Sequence, residues 1–434
     1  MRFGESMRKF THLNCMASVK SLHAEQAFDS DGFPTIRGVL SLDDGTTVDA
    51  SIPNGKHPGK FSADYLYDEE KSYFGQGIQK SIKYINELIA PKIVGADPLK
   101  CKQIDIWLTK ADSTENKEVL GANTTFLVSI LFYKAASVVK NIPLYQFFHE
   151  QYEENFEKLP IVDTPSPIFN LISGGAHGSE ILNFQEFHIV PSTSKTYAQA
   201  YEMAFNIYHE LRKVFQYRNI FAGLGNDGAY VPALSTNIDG LEIIKEAVTK
   251  FGYKLGLELY YSLDLAADFF YKGKYYLSDS PTPLSAENMV DKVKKLNDEY
   301  KFLLLEDTLA SKDDAGWKLL MEELGGKVFI VADDLTETNK KQLEHAIANK
   351  LCNTVCVKPM QRGTIWETME FVAGAKKGKL KIVVSQMAAE TNDSWIADFA
   401  VAMQAEFVKF GSVARGERIA KHQRMMKIEQ ELHV

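Results

Sequence analysis

Apolar runs in the second half of the chain end in side chains that can bind a cation or move a proton. The runs and their terminal residues are YYSLD (Asp264), FLLLED (Glu306 and Asp307), FIVADD (Asp333 and Asp334) and VCVK (Lys358). If these runs are neighbouring parallel strands of a barrel, their carboxyl ends meet at one mouth. The pattern therefore predicts a cluster of acids with a lysine beside it.

Convergent carboxylates repel one another unless a cation lies among them. Hard oxygen ligands without paired histidines or cysteines favour Mg²⁺. A lysine beside such an ion has its ammonium form disfavoured, so Lys358 is a candidate base toward a carbon acid whose anion the metal stabilises. Any one of these acids taken alone is equally typical of a helix cap or a solvated loop; the cluster as a whole favours the metal site.

Short apolar runs alternate with helical patterns after about residue 158, which predicts an α/β barrel. The runs are FQEFHIV, LELYYSLD, KFLLLED, KVFIVADD, NTVCVK and LKIVVSQ. An open doubly wound sheet is the alternative. GLGNDG at 223–228 matches the spacing of a dinucleotide-binding loop, but AYVPAL follows it instead of a helix start, so we assign it no nucleotide.

The N-terminal part has a different pattern, which predicts a second domain. Residues 19 to about 52 predict a β-meander, and two helical patterns follow, of which the one from Asn123 is apolar enough to be largely buried. A polar, proline-containing stretch places a boundary near residue 158. We therefore expect an extension of unknown status at 1–18, an α+β domain at 19–157 and the barrel at 158–434.

Composition limits the kinds of partner. The net charge of −8 over 434 residues argues against nucleic acid as a partner, and the hydropathy pattern predicts no membrane span. The four cysteines are too scattered for a secreted disulfide framework, so we expect a cytosolic protein. No histidine follows Cys352 and Cys356 at zinc-ligand spacing, which predicts packing thiols.

Motifs from about Met16 to the C-terminus resemble the enolase family. In chain order they are FDSDGFPT, GADPLKCKQID, DSTENKEVLGAN, IPLYQFF, FNLISGGAHGSEILNFQEF, VADDLTETN and GERIAKHQRMMKIEQEL. The spacings from Asp264 through Glu306, Asp333 and Lys358 to Lys409 also match the family. The resemblance implies an enolase-like fold, with an N-terminal α+β capping domain followed by an α/β barrel.

The family converts 2-phosphoglycerate reversibly to phosphoenolpyruvate with Mg²⁺. By resemblance, Asp264, Glu306 and Asp333 would bind the first metal ion. Lys358 would remove the C2 proton, and Lys409 would bind the substrate carboxylate.

Further family positions complete the implied site. His177, Gln185 and Glu186 occupy supporting positions in the family. The glutamate that acts as acid in the family is replaced here by Asp227, which is one methylene shorter. A displacement of about 1 Å at a catalytic group can cost about 10²-fold in rate.

The stretch SQMAAET at 385–391 departs from the family's S-H-R-S-G-E-T. Gln386 replaces a histidine, while Met387 and Ala388 replace the arginine and serine that hold the substrate phosphate. An arginine–phosphate pair is a charge-assisted, bidentate contact that a methionine cannot make. Together these losses predict a cost on the order of 10²–10⁴ in kcat/KM.

A second loop departs from the family as well. The family's S-G-A-S-T-G loop is NGKHPG here, so His57 stands where a serine closes over the second metal. We therefore expect an enolase-family protein whose dehydratase activity is weak or lost. The alternatives are an active divergent enolase in which Lys56 or His57 contacts the phosphate, a lyase for another carboxylate, and a non-catalytic binding protein.

The resemblance also implies a homodimer. Two positions that form a cross-subunit ion pair in many members are Arg37 and Lys427 here, and like charges do not pair. We expect dimerisation without that bridge.

Overall fold

The computed structural model describes residues 17–55, 59–68, 71–178 and 181–433. The strands are β1 (Val19–Phe28), β2 (Pro34–Leu42), β3 (Thr47–Ser51), β4 (Ser166–Ser173), β5 (Glu186–Pro191), β6 (Ala222–Leu224), β7 (Tyr230–Pro232), β8 (Leu259–Asp264), β9 (Phe302–Glu306), β10 (Phe329–Ala332), β11 (Thr354–Val357), β12 (Lys381–Ser385) and β13 (Phe407–Lys409). Residues 1–16, which include most of the predicted extension, lie outside this description, and so does His57.

The helices fall into an N-terminal and a C-terminal group. The N-terminal helices are α1 (Gln79–Lys83), α2 (Ala90–Ile93), α3 (Cys101–Asp112), α4 (Ala122–Lys140) and α5 (Leu144–Asn155), with a π-helical turn at Tyr84–Ile89 between α1 and α2. The C-terminal helices are α6 (Tyr197–Tyr217), α7 (Asn237–Lys250), α8 (Ala286–Tyr300), α9 (Asp314–Leu324), α10 (Lys340–Asn349), α11 (Ile365–Lys377), α12 (Trp395–Ala402) and α13 (Gly416–Leu432).

The N-terminal part is a β-meander packed on helices. Strands β1, β2 and β3 pair antiparallel in chain order, as the sequence predicts. Gly38 of β2 faces α4, where a Cβ would lie 2.9 Å from Leu131 Cδ1, so only glycine allows this close approach. Helix α4 is long and apolar enough to cross a membrane, but 83% of its most apolar window is buried inside the protein, so it serves as a core helix.

The C-terminal part is a closed barrel, which confirms the predicted barrel and excludes the open sheet. The strand order is β4-β5-β8-β9-β10-β11-β12-β13, and β13 pairs with β4. Strand β5 is antiparallel to both of its neighbours, whereas the other pairs are parallel. The described part of the segment between β4 and β5 contains only a 3₁₀ turn at Gly175–His177 and no helix. It therefore lacks the helical crossover that usually joins a parallel pair, which fits the one reversed strand.

Apolar side chains close the barrel interior below its carboxyl-terminal mouth. This inner layer consists of Ile168, Val190, Leu304, Val331, Cys356, Val383 and Phe407. Cys352 and Cys356 are both buried, as expected for packing thiols. Polar residues that lie further along the same strands therefore face the mouth, since alternate side chains point inward.

The GLGNDG segment forms a hairpin and not a nucleotide-binding turn. Strands β6 and β7 pair antiparallel across it, which confirms that no helix follows. The hairpin extends the sheet beside β4 and carries Asp227 to the barrel mouth.

Candidate active site

The acids and Lys358, predicted from strand ends, and Lys409, implied by the resemblance, meet at the mouth of the barrel. Asp264 is the last residue of β8 and pairs in register with Glu306, the last residue of β9. Asp333 and Lys358 directly follow β10 and β11, and Lys409 ends β13. A cavity of about 690 Å³ opens there, lined by Asp264, Asp333, Lys358 and Lys409 among others.

Lys409 is the charged centre of this cluster. Its Nζ lies 2.7 Å from Glu306 Oε1 and 3.1 Å from both Asp264 Oδ2 and Glu186 Oε2. Burial lowers the pKa of Lys409, but the three carboxylates outweigh burial and raise the pKa well above its ordinary value. The ammonium group therefore stays charged and offsets part of the repulsion among the acids.

The carboxylate oxygens of this cluster are not all engaged in hydrogen bonds with described residues, so they could bind a divalent cation. Ligand atoms of Glu306 lie within 4.8 Å of those of Asp264 and Asp307, and, in a second group, of those of Asp333 and Cys356. Burial and the charges of the neighbouring acids raise the pKa of Glu306 well above normal, although Lys409 opposes this. Asp333 Oδ1 is buried and has no hydrogen-bond partner among the described residues. A buried, unpaired carboxylate oxygen in an oxygen-rich cluster fits a hard ion such as Mg²⁺.

Lys358 points at Asp333, one of the acids of this cluster, and two opposing effects set its pKa. Its Nζ donates to Asp333 Oδ2. Burial lowers the pKa of Lys358, yet Asp333 outweighs burial, and the net pKa is raised. The depressed lysine pKa was predicted for a lysine beside a bound metal ion and stays a prediction; without a metal, Asp333 acts on Lys358 as an uncompensated negative charge.

Asp307 accepts hydrogen bonds from the backbone directly after β10. No role was assigned to it from the sequence. Its two carboxylate oxygens accept hydrogen bonds from the backbone N–H groups of Asp333, at 3.0 Å, and Asp334, at 2.9 Å. Its φ of +41° turns the chain sharply just after β9. No local sequence signal separates this supporting role from metal ligation, because both place an acid after a strand.

Glu186 is held by three donors. Its Oε1 lies 3.1 Å from His177 Nδ1, and its Oε2 lies 3.0 Å from His188 Nε2 and 3.1 Å from Lys409 Nζ. Burial raises the pKa of Glu186, but Lys409 and the two histidines reverse this and hold it well below normal. The pKa of His177 is raised because Glu186 outweighs the opposing effect of burial.

Gln185 lies beside this group and donates from Nε2 to Asp264 Oδ2 at 3.3 Å. The structure therefore brings together the supporting residues that the resemblance implied. His188, which the sequence analysis did not single out, contacts Glu186 from inside the barrel.

Asp227 reaches the cavity wall but is tied to the barrel interior. Asn170 Nδ2 donates to its Oδ2 at 2.5 Å, while the Ala229 N–H and Ser173 Oγ donate to its Oδ1 at 3.1 and 3.4 Å. Its side chain is buried and lines the cavity. The shorter side chain therefore keeps hydrogen bonds that hold it on the β4 side.

Gln386, Met387 and Ala388 line the same cavity. Gln386 Oε1 is buried without a hydrogen-bond partner among the described residues. Buried Arg418 donates to the carbonyl oxygens of Met387 at 3.2 Å and Ala388 at 2.5 Å. Its guanidinium therefore fixes the backbone of this turn and does not face the cavity as a replacement phosphate ligand.

Residues 59–62 of the N-terminal part are fastened to the barrel loop after β10. The Phe61 N–H and Ser62 Oγ donate to Glu337 Oε2 at 2.7 and 2.9 Å. A Cβ on Gly59 would lie 2.1 Å from the same carboxylate oxygen. Sequence reasoning missed Glu337, because its partners are more than 270 residues away and nothing local marks them.

A barrel with acids and lysines at its carboxyl-terminal mouth, together with an α+β part, defines an α/β-barrel protein with an acidic cluster that could hold a metal ion. Family models for "Enolase, N-terminal domain" and "Enolase, C-terminal TIM barrel domain" match residues 19–148 and 161–434. The chain belongs to the enolase family.

Relatives named Enolase match over nearly their whole length. The chain is 37% identical to that of Ehrlichia canis over 419 residues, covering 96% of this chain and 97% of the relative. It is 36% identical to that of Ehrlichia ruminantium over 422 residues, with 96% and 98% covered. It is 35% identical to that of Wolinella succinogenes over 419 residues, with 96% and 97% covered.

Proposed function

We propose that this protein keeps the proton-abstraction machinery of an enolase while its dehydration of 2-phosphoglycerate is weak or lost. The observation that carries the proposal is a contrast among the residues that line one cavity. Asp264, Asp333, Lys358 and Lys409 are present there. At the positions that hold the phosphate in the family the cavity presents Met387 and Ala388, and no arginine lines it among the described residues.

Mg²⁺ is the proposed cofactor, and Asp264, Glu306 and Asp333 would hold it. When bound, it supplies Lewis-acid stabilisation of the negative charge that develops on a substrate carboxylate. The buried, unpaired Asp333 Oδ1 supports this assignment. A cation at Asp333 also opposes the effect that now raises the pKa of Lys358, so metal binding favours the neutral amine that a base requires.

The protein side chains have separate proposed roles. Lys358 takes the proton α to the carboxylate, and Lys409 holds the carboxylate by charge. Asp227 is the proposed acid toward the leaving hydroxyl, while His177, Gln185 and Glu186 position these groups. Gln386, whose side-chain oxygen accepts no hydrogen bond within the described part of the chain, is the proposed contact for a substrate hydroxyl.

The expectation of weak activity rests on the residues at the positions that hold the substrate phosphate in the family. Each lost charge-assisted hydrogen bond is worth about 1.5–3 kcal/mol. Two such losses correspond to on the order of 10²–10⁴ in kcat/KM. Arg418 does not compensate, because its side chain is fully buried and donates to backbone carbonyls of this turn.

An active enolase is the second candidate, favoured by the lysines at the cavity mouth. Lys60 and Lys312 line the cavity, and Lys56 and His57 lie in the adjoining stretch outside the described residues. A cation from this group that contacts the phosphate would restore turnover. A lyase for a carboxylate without phosphate and a non-catalytic binding protein complete the alternatives.

The deciding experiment measures conversion of 2-phosphoglycerate to phosphoenolpyruvate by its absorbance, with Mg²⁺ and with Lys358→Ala as control. We expect turnover at least 10²-fold below that of an enolase relative measured alongside. Turnover equal to the relative's, abolished in Lys358→Ala, contradicts the proposal and supports the active enolase.

Thermal stabilisation distinguishes the remaining alternatives. Mg²⁺ should raise Tm, and 2-phosphoglycerate should add little to that rise. A further rise with D-glycerate, which lacks the phosphate, favours the lyase for another carboxylate. No rise with Mg²⁺ contradicts the metal-site assignment.

We also propose a cytosolic homodimer that does not use Arg37 as a cross-subunit bridge. Within the chain, Arg37 Nη1 lies 3.0 Å from Glu25 Oε1 and Arg37 Nη2 lies 3.0 Å from Asp49 Oδ2. These partly exposed pairs satisfy the guanidinium locally. Sedimentation of Arg37→Gln should give the same dimer dissociation constant as the wild type within about twofold.

A further inference from the structure

His188 lies directly beneath the candidate site. It is 1% exposed and sits on β5 two residues after Glu186, so both side chains point into the barrel. Its Nε2 lies 3.0 Å from Glu186 Oε2. Its other ring nitrogen, Nδ1, is buried without a hydrogen-bond partner among the described residues.

These contacts define the proton on the ring. A neutral imidazole has one donor nitrogen and one acceptor nitrogen. Because Nε2 faces a carboxylate, which only accepts, Nε2 carries the hydrogen. A second proton on Nδ1 would create a buried donor without an acceptor, and such a donor is costly. The geometry therefore favours the neutral Nε2–H tautomer.

His188 also lies beside Asn170, the residue that holds a second carboxylate of the site, Asp227. His188 pairs in register with Asn170 of β4, and Asn170 Nδ2 donates to Asp227 Oδ2. Neighbouring residues of β4 and β5 thus each hold one site carboxylate from below. Glu186 in turn contacts His177 through one oxygen and Lys409 through the other.

We propose that His188 is a positioning residue that donates from Nε2 to Glu186 and fixes its carboxylate between His177 and Lys409. It touches neither substrate nor metal and acts through Glu186. Without this donor, Glu186 is free to rotate toward Lys409, whose full charge attracts it more strongly than His177 does. The importance of this hydrogen bond for catalysis rests on the proposed function. The hydrogen-bond geometry itself does not depend on that function.

The first test is the tautomer of His188 in the metal-free wild-type protein. Long-range ¹H–¹⁵N NMR on protein labelled at its 10 histidines, assigned by single substitutions, distinguishes the two neutral forms and the charged form. We expect a hydrogen on Nε2 of His188. A neutral ring that carries its hydrogen on Nδ1 overturns the proposal, and this measurement requires no variant that has to fold.

The second test compares His188→Leu with His188→Gln. Leucine removes the donor, whereas the glutamine side-chain amide places a nitrogen donor near the original Nε2. The readout is the titration of His177 by NMR, which a filler of the barrel core would not alter. We expect its midpoint to fall by at least about 0.5 pH unit in His188→Leu and to return toward the wild-type value in His188→Gln.

An unchanged His177 midpoint in a folded His188→Leu variant overturns the positioning role and leaves His188 as a core residue. A rise in the midpoint also overturns it, since it would mean that His188 only competes with His177 for Glu186. Both readouts use protein without substrate or metal. A failure of 2-phosphoglycerate turnover therefore bears on the proposed function and leaves this inference intact.

Discussion

Arg418 Nη1 donates a hydrogen bond to the carbonyl oxygen of Met387 at 3.2 Å. The same guanidinium reaches the carbonyl oxygens of Ala388 at 2.5 Å and of Asn226 at 3.1 Å through Nη2. One buried cation thus joins the 387–388 turn to the Asp227 loop through backbone atoms only. The backbone of the turn is therefore set independently of its side chains, and these can be exchanged without moving it.

Met387→Arg tests whether the missing phosphate contact limits activity. The side chain at 387 lines the cavity, so an arginine there can reach an anion while Arg418 holds the backbone. We expect kcat/KM for 2-phosphoglycerate to rise about 10–100-fold, as one charge-assisted bidentate contact would give. Steady-state kinetics of phosphoenolpyruvate formation measure the change.

Met387→Leu is the matched control, because it changes shape without adding charge, and it should leave kcat/KM within about twofold of the wild type. An equal gain in both variants would show that packing, and not the phosphate contact, limits turnover. No gain in Met387→Arg, in a folded protein that still binds Mg²⁺, would place the defect elsewhere in the site.

Lys409→Met tests the electrostatic balance of the mouth. Removing the ammonium leaves Glu186, Asp264 and Glu306 without their shared cation. We expect a loss of about 3–5 kcal/mol in the free energy of unfolding without metal, the usual cost of a broken buried ion pair. Mg²⁺ should recover a large part of that loss, because it supplies positive charge to the same acids. Urea unfolding with EDTA and with Mg²⁺ measures both quantities.

Lys421→Met is the control for the effect of removing a buried lysine that lies outside the acid cluster. Lys421 is also buried and pairs with Glu390 at 3.1 Å, outside the acid cluster. Lys421→Met should lower the free energy of unfolding. Mg²⁺ should then raise that free energy by no more than it does in the wild type. Equal recovery by Mg²⁺ in the two variants would contradict a metal site at Asp264 and Glu306.

The sequence predicted the site acids because their signal is local. Asp264, Glu306 and Asp333 each end or directly follow an apolar run, and parallel barrel strands bring such positions together. The antiparallel direction of β5 was not predicted. A short connection that reverses the chain can be recognised only after the apolar runs on both sides of it have been identified as strands. The raised pKa of Lys358 in the absence of a metal was not predicted, because the Asp333 contact depends on tertiary geometry.

Other residues of the site can be recognised only from contacts between segments that are distant in the sequence. Glu337 is marked only by its contact with residues 61 and 62, and Arg418 only by its contacts with carbonyl oxygens some 30 or more residues away. His188 resembles any buried residue in an apolar run until the barrel places it under Glu186. Periodicity determines which face a side chain occupies but not which distant group it meets.

Gly59→Ala tests the fastening of the N-terminal segment to the barrel. The added Cβ would lie 2.1 Å from Glu337 Oε2, so the carboxylate or the segment must move. We expect a loss of about 1–3 kcal/mol in the free energy of unfolding. Hydrogen exchange of the Phe61 amide, which donates to Glu337, should also accelerate.

Gly223→Ala is the control, since a Cβ there meets no atom within 4 Å, and its effect should stay within about 0.5 kcal/mol. The double variant Gly59→Ala/Glu337→Ala should cost less than the sum of the single changes, because removing the carboxylate also removes the clash. Additive costs would show that Gly59 and Glu337 do not interact in solution.

Asp105 gives the protein a dependence of stability on pH that is separate from the site. It lies on α3, and its Oδ2 accepts a hydrogen bond from the Trp366 N–H at 2.9 Å, while its Oδ1 is buried without a partner among the described residues. Burial raises the pKa of Asp105 from 3.8 to about 7, although hydrogen bonds oppose this. The folded state therefore holds this proton over a pH range in which the unfolded state has released it.

The sign of the effect follows from proton linkage. Between pH 3.8 and about 7 the folded state binds more protons at Asp105 than the unfolded state. The contribution of this group to stability is therefore greatest below about pH 4 and decreases as the pH rises toward 7. Above that range the folded protein bears the full cost of a buried, incompletely paired carboxylate.

Asp105→Asn removes the charge and keeps an acceptor for the Trp366 N–H. Relative to the wild type, we expect a gain of roughly 1–3 kcal/mol at pH 8 and a clearly smaller gain at pH 4.5, because the folded wild-type carboxyl is protonated there and its contribution to stability has only begun to fall. Urea unfolding at the two pH values measures the difference. Asp105→Ala, which removes the acceptor as well, should gain less than Asp105→Asn at pH 8 and lose stability at pH 4.5. Equal effects of Asp105→Asn at both pH values would show that Asp105 is not protonated in the folded state, and that its unpaired oxygen is satisfied in solution.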